Sequence, residues 1–133
     1  MLRVWIVLVT GILFMACSEE TKTRNNLHGK WQLQQIESNG HVEKVDTIYY
    51  NFLTSLFEYQ IYIPEKDTCI ICYGFNYIED DDQLLLELAG TGIDAFLPST
   101  DWPSYKRMFK IEKLSGKQLI LSNDQKQYTF RKF

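Results

Sequence analysis

The chain is short of the side chains that most reaction chemistry needs. It has two histidines, His28 and His41, and three cysteines, Cys17, Cys69 and Cys72. These are too few and too scattered to complete a four-ligand metal site. Glycine-rich phosphate loops, nucleophile elbows and paired metal-binding histidines are absent from the sequence, which removes the common routes to phosphoryl, acyl and metal-assisted transfer. Basic residues are in deficit, 14 Lys and Arg against 17 Asp and Glu, a net charge of −3. A nucleic-acid surface needs the opposite balance, so none is expected. No window carries a sustained helical period, and repeats and low-complexity segments are also missing. The expectation is a protein that is not an enzyme and holds no metal or cofactor.

The one long apolar run lies at the start. Arg3 is the only charge before Val4 to Met15, and Ala16-Cys17 follows. As a helix the run would measure about 18 Å against a hydrocarbon core of roughly 30 Å. It has the layout of an export signal and is too short to span. Leu13-Phe14-Met15-Ala16-Cys17 resembles the bacterial lipobox in its small residue directly before cysteine. The resemblance implies cleavage before Cys17 and acylation of that residue, palmitate included. Residues 1–16 then form the signal peptide, and 17–26 a lipidated cysteine and flexible tether, since Ser18 to Asn26 offers nothing apolar to bury. Ser18-Glu19-Glu20 is similar to the sorting signal that some Gram-negative bacteria use for surface lipoproteins. The implied place is the outer membrane, on its periplasmic face or the cell surface.

Residues 27–133 suffice for one domain with one modest core. Short alternating segments recur about every ten residues, separated by Ser38-Asn39-Gly40, Pro64 to Asp67, Ser115-Gly116 and Asn123-Asp124. That spacing predicts an all-β fold of hairpin-linked strands near 29–37, 43–52, 54–63, 68–78, 83–88, 105–114, 117–122 and 126–132. Eight such strands can close into an antiparallel up-and-down β-barrel, with a β-sandwich as the alternative. Alternation points Trp31, Tyr50, Phe57, Tyr59, Leu86 and Phe130 inward. It also points Cys69, Ile71, Tyr73, Phe75 and Tyr77 inward, and places Gln60 and Asn76 on the wet face.

Leu27-His28-Gly29-Lys30-Trp31 opens the first strand with the Gly-x-Trp spacing, Gly29 and Trp31, found at the start of lipocalins. With Val45 to Tyr50, Leu56 to Tyr62 and the ending Tyr128 to Phe133, residues 27–133 resemble the small lipocalin-like lipoproteins of Gram-negative bacteria. The resemblance implies a barrel, an extracytoplasmic setting and a small hydrophobic ligand. Thr100-Asp101-Trp102 is similar to a second lipocalin motif, but it lies in a long loop before three strands and is read as fortuitous.

Three features could carry chemistry. Cys69 and Cys72 are three residues apart on one strand, about 10 Å, and face opposite ways, too far for a disulfide. Glu79 to Asp82 lacks the spaced ligands and glycine of a calcium loop and reads as a solvated turn. The loop from Ala89 to Ser104 is long and apolar, and loops of that length are usually functional or packed on something. Arg107 follows it, inward between Tyr105 and Phe109, and a buried guanidinium needs a partner. The candidate ligand site is therefore Phe96, Leu97, Trp102, Tyr105, Arg107 and Phe109 at one barrel end. Two functions fit a monomer of this kind. One is a membrane-anchored binding module for a small hydrophobic or amphipathic ligand. The other is a barrel filled by its own side chains that engages an envelope partner or inhibits a protease.

Overall fold

The computed structural model describes residues 21–133. Residues 21–27 are helical (α1). Strands follow as β1 (Gly29–Ser38), β2 (His41–Lys44), β3 (Ile48–Phe52), β4 (Leu56–Ile63), β5 (Thr68–Glu79) and β6 (Gln83–Leu88). A short helix α2 (Ile93–Phe96) and a 3-10 turn (Leu97–Ser99) interrupt the long loop, and β7 (Lys106–Leu114), β8 (Gln118–Asn123) and β9 (Lys126–Lys132) complete the chain.

All neighbours pair antiparallel in the order β1-β3-β4-β5-β6-β7-β8-β9, and β9 pairs back onto β1. That last pairing closes the sheet, so the molecule is an eight-stranded barrel and the sandwich is excluded. β2 and β3 act as one broken strand: β2 pairs with the second half of β1 and β3 with the first half. Register shifts between Leu33 and Gln35 and between Ile111 and Lys113 mark irregularities that help the sheet coil. The turns have the expected chemistry. Asn39 and Gly40 both hold positive φ (53° and 79°), as the hairpin linking β1 to β2 requires. Asp80 and Asp81 (50° and 63°) put the acidic run in the β5–β6 turn.

Two expectations are corrected. The flexible tether does not reach residue 26, because α1 is packed against the barrel. Leu27 is buried, His28 N donates to Arg24 O at 3.0 Å, and Arg24 Nη1 donates to Thr54 O at 2.9 Å and to Asn76 Oδ1 at 3.3 Å. So short a helix would not persist alone, and these contacts hold it.

The second correction is the phase of β5. Cys69, Ile71, Tyr73, Phe75 and Tyr77 face outward, while Cys72 and Asn76 are buried. Pairing decides this: Cys72 lies opposite Tyr59, and Gly74 opposite Phe57 and Leu88. A Cβ on Gly74 would stand 2.0 Å from the Glu87 carbonyl oxygen, so only glycine fits there. Asn76, expected on the wet face, binds the end of the β3–β4 turn instead, donating from Nδ2 to Leu53 O (3.1 Å) and Leu56 O (2.7 Å). Gln60, also expected wet, is buried on the outer side and donates to Glu58 Oε2 at 2.9 Å.

The interior is a continuous set of rings. Tyr50 touches Phe52, Phe57, Tyr59 and Phe130 at centroid distances of 4.9 to 6.3 Å. Such a set supplies large apolar burial with tilted and edge-on contacts that suit aromatic quadrupoles. At the α1 end, Trp31 Nε1 donates to Leu27 O at 2.8 Å, and the Lys132 ammonium lies 4.5 Å from the Trp31 ring centre. Gly29 holds φ +119° beside that ammonium, where a Cβ would stand 2.5 Å from Nζ. Gly29 and Trp31 are thus a matched pair, one making room and the other receiving the cation.

Candidate functional site

The loop between β6 and β7 closes the barrel end opposite α1, and its local geometry explains how. Phe96 N donates to Gly92 O at 3.1 Å, and Thr100 N donates to Leu97 O at 2.9 Å. The Thr100 hydroxyl donates to Leu97 O at 2.9 Å and accepts from Trp102 N at 3.0 Å. These bonds with Pro98 and Pro103 stiffen the loop, which lowers the entropy lost when it docks. Two side chains of the loop then enter the barrel. Phe96 packs edge-on to Tyr59 at 5.2 Å. Trp102 stacks on Phe57 (6.2 Å, 3° between planes), meets Tyr59 and Phe109, and donates from Nε1 to Tyr50 Oη at 3.1 Å.

Beside Trp102 stands a charged cluster. Arg107 is buried on β7 and donates from Nη1 to Asp101 Oδ1 (3.0 Å), and from Nη2 to Tyr128 Oη (2.7 Å) and Asn123 Oδ1 (3.4 Å). Tyr128 in turn donates to Asp101 Oδ2 at 2.5 Å, and Lys126 Nζ lies 3.6 Å from the same oxygen. The guanidinium also sits over the Phe109 and Tyr128 rings, at 5.0 and 5.2 Å. Burial works to lower its pKa, but Asp101 and Tyr128 outweigh it, so the cation is held above its ordinary value. Burial raises the phenols of Tyr50, Tyr59 and Tyr128 well above theirs, with Asp101 adding to each. One atom is left over: Arg107 Nε is buried and has no hydrogen-bond partner among the described residues. Next to the cluster a surface concavity of about 580 Å³ is lined by Asp101, Arg107, Met108, Asn123 and Lys126 among others.

A family model described as a lipocalin-like domain matches residues 12–133. The chain belongs to that family. A solved lipocalin-like protein from Bacteroides uniformis is 29% identical with a TM-score of 0.70, the match covering 81% of this chain and 99% of that one. An uncharacterized protein from Bacteroides eggerthii is 27% identical with a TM-score of 0.68, covering 80% and 99%. No curated protein matches this sequence.

Within this lipocalin-like barrel, four of the six candidate residues meet at the mouth: Phe96, Trp102, Arg107 and Phe109. Leu97 is half-buried and lines a separate concavity of about 460 Å³ on the outside of the lid. Tyr105 is a correction, since it is 48% exposed rather than inward. It precedes β7, its carbonyl accepts from Leu88 N at 2.8 Å, and the ladder no longer dictates the direction of its side chain. Asp101 is a member of this cluster that sequence reasoning missed. Its signal was present in Thr100-Asp101-Trp102, whose last two residues turn out to latch and plug the mouth. Tyr50, Asn123, Lys126 and Tyr128 join the site through long-range pairing, which sequence alone does not display. No group of metal-binding side chains occurs among the described residues, and none of their helices is long and apolar enough to cross a membrane. Cys17 lies outside the described residues.

Proposed function

We propose that this chain is a lipoprotein anchored through Cys17 to the outer membrane, whose barrel binds a small amphipathic ligand bearing an acid group, and that the structure describes its closed form. One observation carries the ligand reading: the mouth is filled from the loop, by Phe96 and Trp102, while the strands beneath present phenols and a guanidinium with an unused donor at Nε. A buried N–H without a partner costs about 1–3 kcal/mol. A ligand carboxylate replacing Asp101 on Arg107 could accept from that edge as well. The apolar part of the ligand would take the place of the Trp102 indole against Phe57, Tyr59 and Phe109, and Tyr50 would accept or donate at its polar end.

The test is binding of a fluorescent fatty acid. Trp102→Ala should bind it about 100-fold or more tightly than the parent, because the variant no longer has to displace a buried indole. Adding Arg107→Met should weaken the acid by about tenfold and leave the matching fatty alcohol unaffected. If neither parent nor Trp102→Ala binds the probe, the ligand reading fails. The filled interior and the internally paired Asp101 favour the second reading, a structurally plugged barrel that works through its outer surface on an envelope partner or a protease. The anchor has its own measurement: Cys17→Ala should lose palmitate label.

A further inference from the structure

The outward face of β5 is apolar for most of its length. Ile71, Tyr73, Phe75 and Tyr77 are 42, 60, 40 and 44% exposed. Leu56, 47% exposed, lies opposite Phe75 on β4, and Leu85 and Met108 continue the wall outward from Tyr77 across β6 and β7. Since a tyrosine or phenylalanine side chain presents roughly 150–250 Å² when bare, these residues together expose on the order of 500 Å². That reaches the size of patch that on ordinary monomers marks a contact surface.

A second observation says what covers it. The described chain begins at the foot of this same strand, where Arg24 of α1 reaches Asn76 of β5 and the Thr54 carbonyl. Only Ser18, Glu19 and Glu20 separate Cys17 from α1, a reach of about 10 Å when fully extended. Lipid on Cys17 would hold a bilayer against the foot of β5, close to Tyr77, Phe75 and the exposed Leu56. We propose that the outer wall of β5 docks on a zwitterionic lipid surface, so that the anchored barrel lies on its side rather than swinging on a tether. This inference rests on the acylation of Cys17 proposed above.

The chemistry of the wall suits headgroups. Tyrosine rings with exposed hydroxyls favour the boundary between acyl chains and water. Two acids on the wall are engaged: Glu58 accepts from Asn51 Nδ2 (3.2 Å) and Gln60 Nε2 (2.9 Å), and Glu87 lies 3.9 Å from Lys106 Nζ, while Glu79 is exposed at the foot of β5. Asp80, Asp81 and Asp82 form the turn after β5, which opposes an anionic bilayer and favours one carrying ammonium groups.

The test couples Cys17 of the mature chain to a maleimide lipid in a Cys69→Ser background, leaving Cys72 buried, and seats it in vesicles of phosphatidylcholine and phosphatidylethanolamine. This makes the result independent of cellular acylation, which palmitate labelling reads separately. Hydroxyl-radical footprinting then compares vesicle-bound with lipid-free chain. Oxidation of Tyr73, Phe75 and Tyr77 should fall at least about threefold on vesicles, as buried interfacial rings require, with the exposed His41 of β2, across the barrel, unchanged. Tyr73→Glu with Tyr77→Glu, both surface changes, should return Phe75 to its lipid-free rate while the chain still floats with the vesicles. Equal rates for Tyr73 and Tyr77 on and off vesicles would overturn the proposal. So would protection of the same residues in lipid-free chain of doubled mass, which would assign the wall to a second copy.

Discussion

The latch at the mouth makes a prediction whose size follows from its geometry. Arg107 is buried, donates to Asp101 at 3.0 Å and to Tyr128 at 2.7 Å, and lies over two aromatic rings. Replacing it by methionine keeps the apolar stem and removes the cation. Breaking a fully buried pair costs about 3–5 kcal/mol, because the remaining charge is left without compensation. Here Asp101 is partly exposed and keeps Lys126 at 3.6 Å and the Tyr128 hydroxyl, and the unpartnered Nε disappears with the mutation. The expected cost is therefore lower, about 1–3 kcal/mol. For a domain of this length each kcal/mol moves Tm by about 4 °C, so Arg107→Met should melt roughly 4–12 °C below the parent. A guanidinium waiting alone at a wet rim would cost almost nothing to remove. The decisive assay is a double-mutant cycle with Asp101→Asn, read by urea denaturation. The coupling energy should be about 1–2 kcal/mol, whereas additivity within about 0.5 kcal/mol would refute the latch.

Alkali should unfold the barrel. Tyr50, Tyr59 and Tyr128 keep their protons in the fold above the ordinary phenol value of 10.0. The unfolded chain releases them first and binds fewer protons, so stability falls as pH rises beyond about 10, by about 1.4 kcal/mol per unit for each tyrosine. Lys132, whose pKa burial lowers, offsets at most one of the three. Urea midpoints that stay flat from pH 9 to 11 would contradict the burial of these phenols. Iodoacetamide should modify Cys69 at least about tenfold faster than Cys72, whose thiol is buried and pushed up by that burial; faster modification of Cys72 would restore the opposite phase for β5. Gly74→Ala should cost about 2–3 kcal/mol in a chemical-denaturation curve, since its Cβ would meet the Glu87 backbone rather than a side chain that can turn away. A near-neutral effect would show that β5 and β6 are less closely apposed there.

The barrel was legible because most of its strands are bounded by residues with one job, although 43–52, read as one strand, is broken into β2 and β3 and is poorly separated in sequence from the strand that follows. Asn39-Gly40 and Ser115-Gly116 mark hairpins whatever surrounds them, and strands alternate at a period that no helix shares. The phase of β5 was not legible because both of its faces contain apolar residues, Ile70, Cys72 and Ile78 on one and Ile71, Tyr73 and Phe75 on the other. Hydrophobicity favours the second set, but volume decides. Once Phe57, Tyr59 and Trp102 occupy that part of the interior, the facing strand needs small residues, and Cys72 and Gly74 meet that need. The site was half legible for a related reason. Arg107 announced that it needed a partner, yet the partner came from a loop whose path is set by tertiary packing. Asp101 could be named only once Trp102 was known to point inward.

The same packing bounds what any ligand must do. Truncating a fully packed tryptophan typically costs about 3–5 kcal/mol, and freeing Trp102 from Phe57, Tyr59 and Tyr50 forfeits a comparable amount. The open form is then populated at roughly 1 in 100 to 1 in several thousand, and the apparent affinity of a ligand drops by that factor. An apolar chain recovers about 0.8 kcal/mol per buried methylene, so four to six methylenes offset the lid before any polar contact counts. A small solute lacks that surface, and a long-chain acid has it to spare. On the proposed reading the plug would also be a selectivity filter: the interior would admit only amphiphiles long enough to outcompete an indole, and Arg107 would then distinguish those that carry an acid.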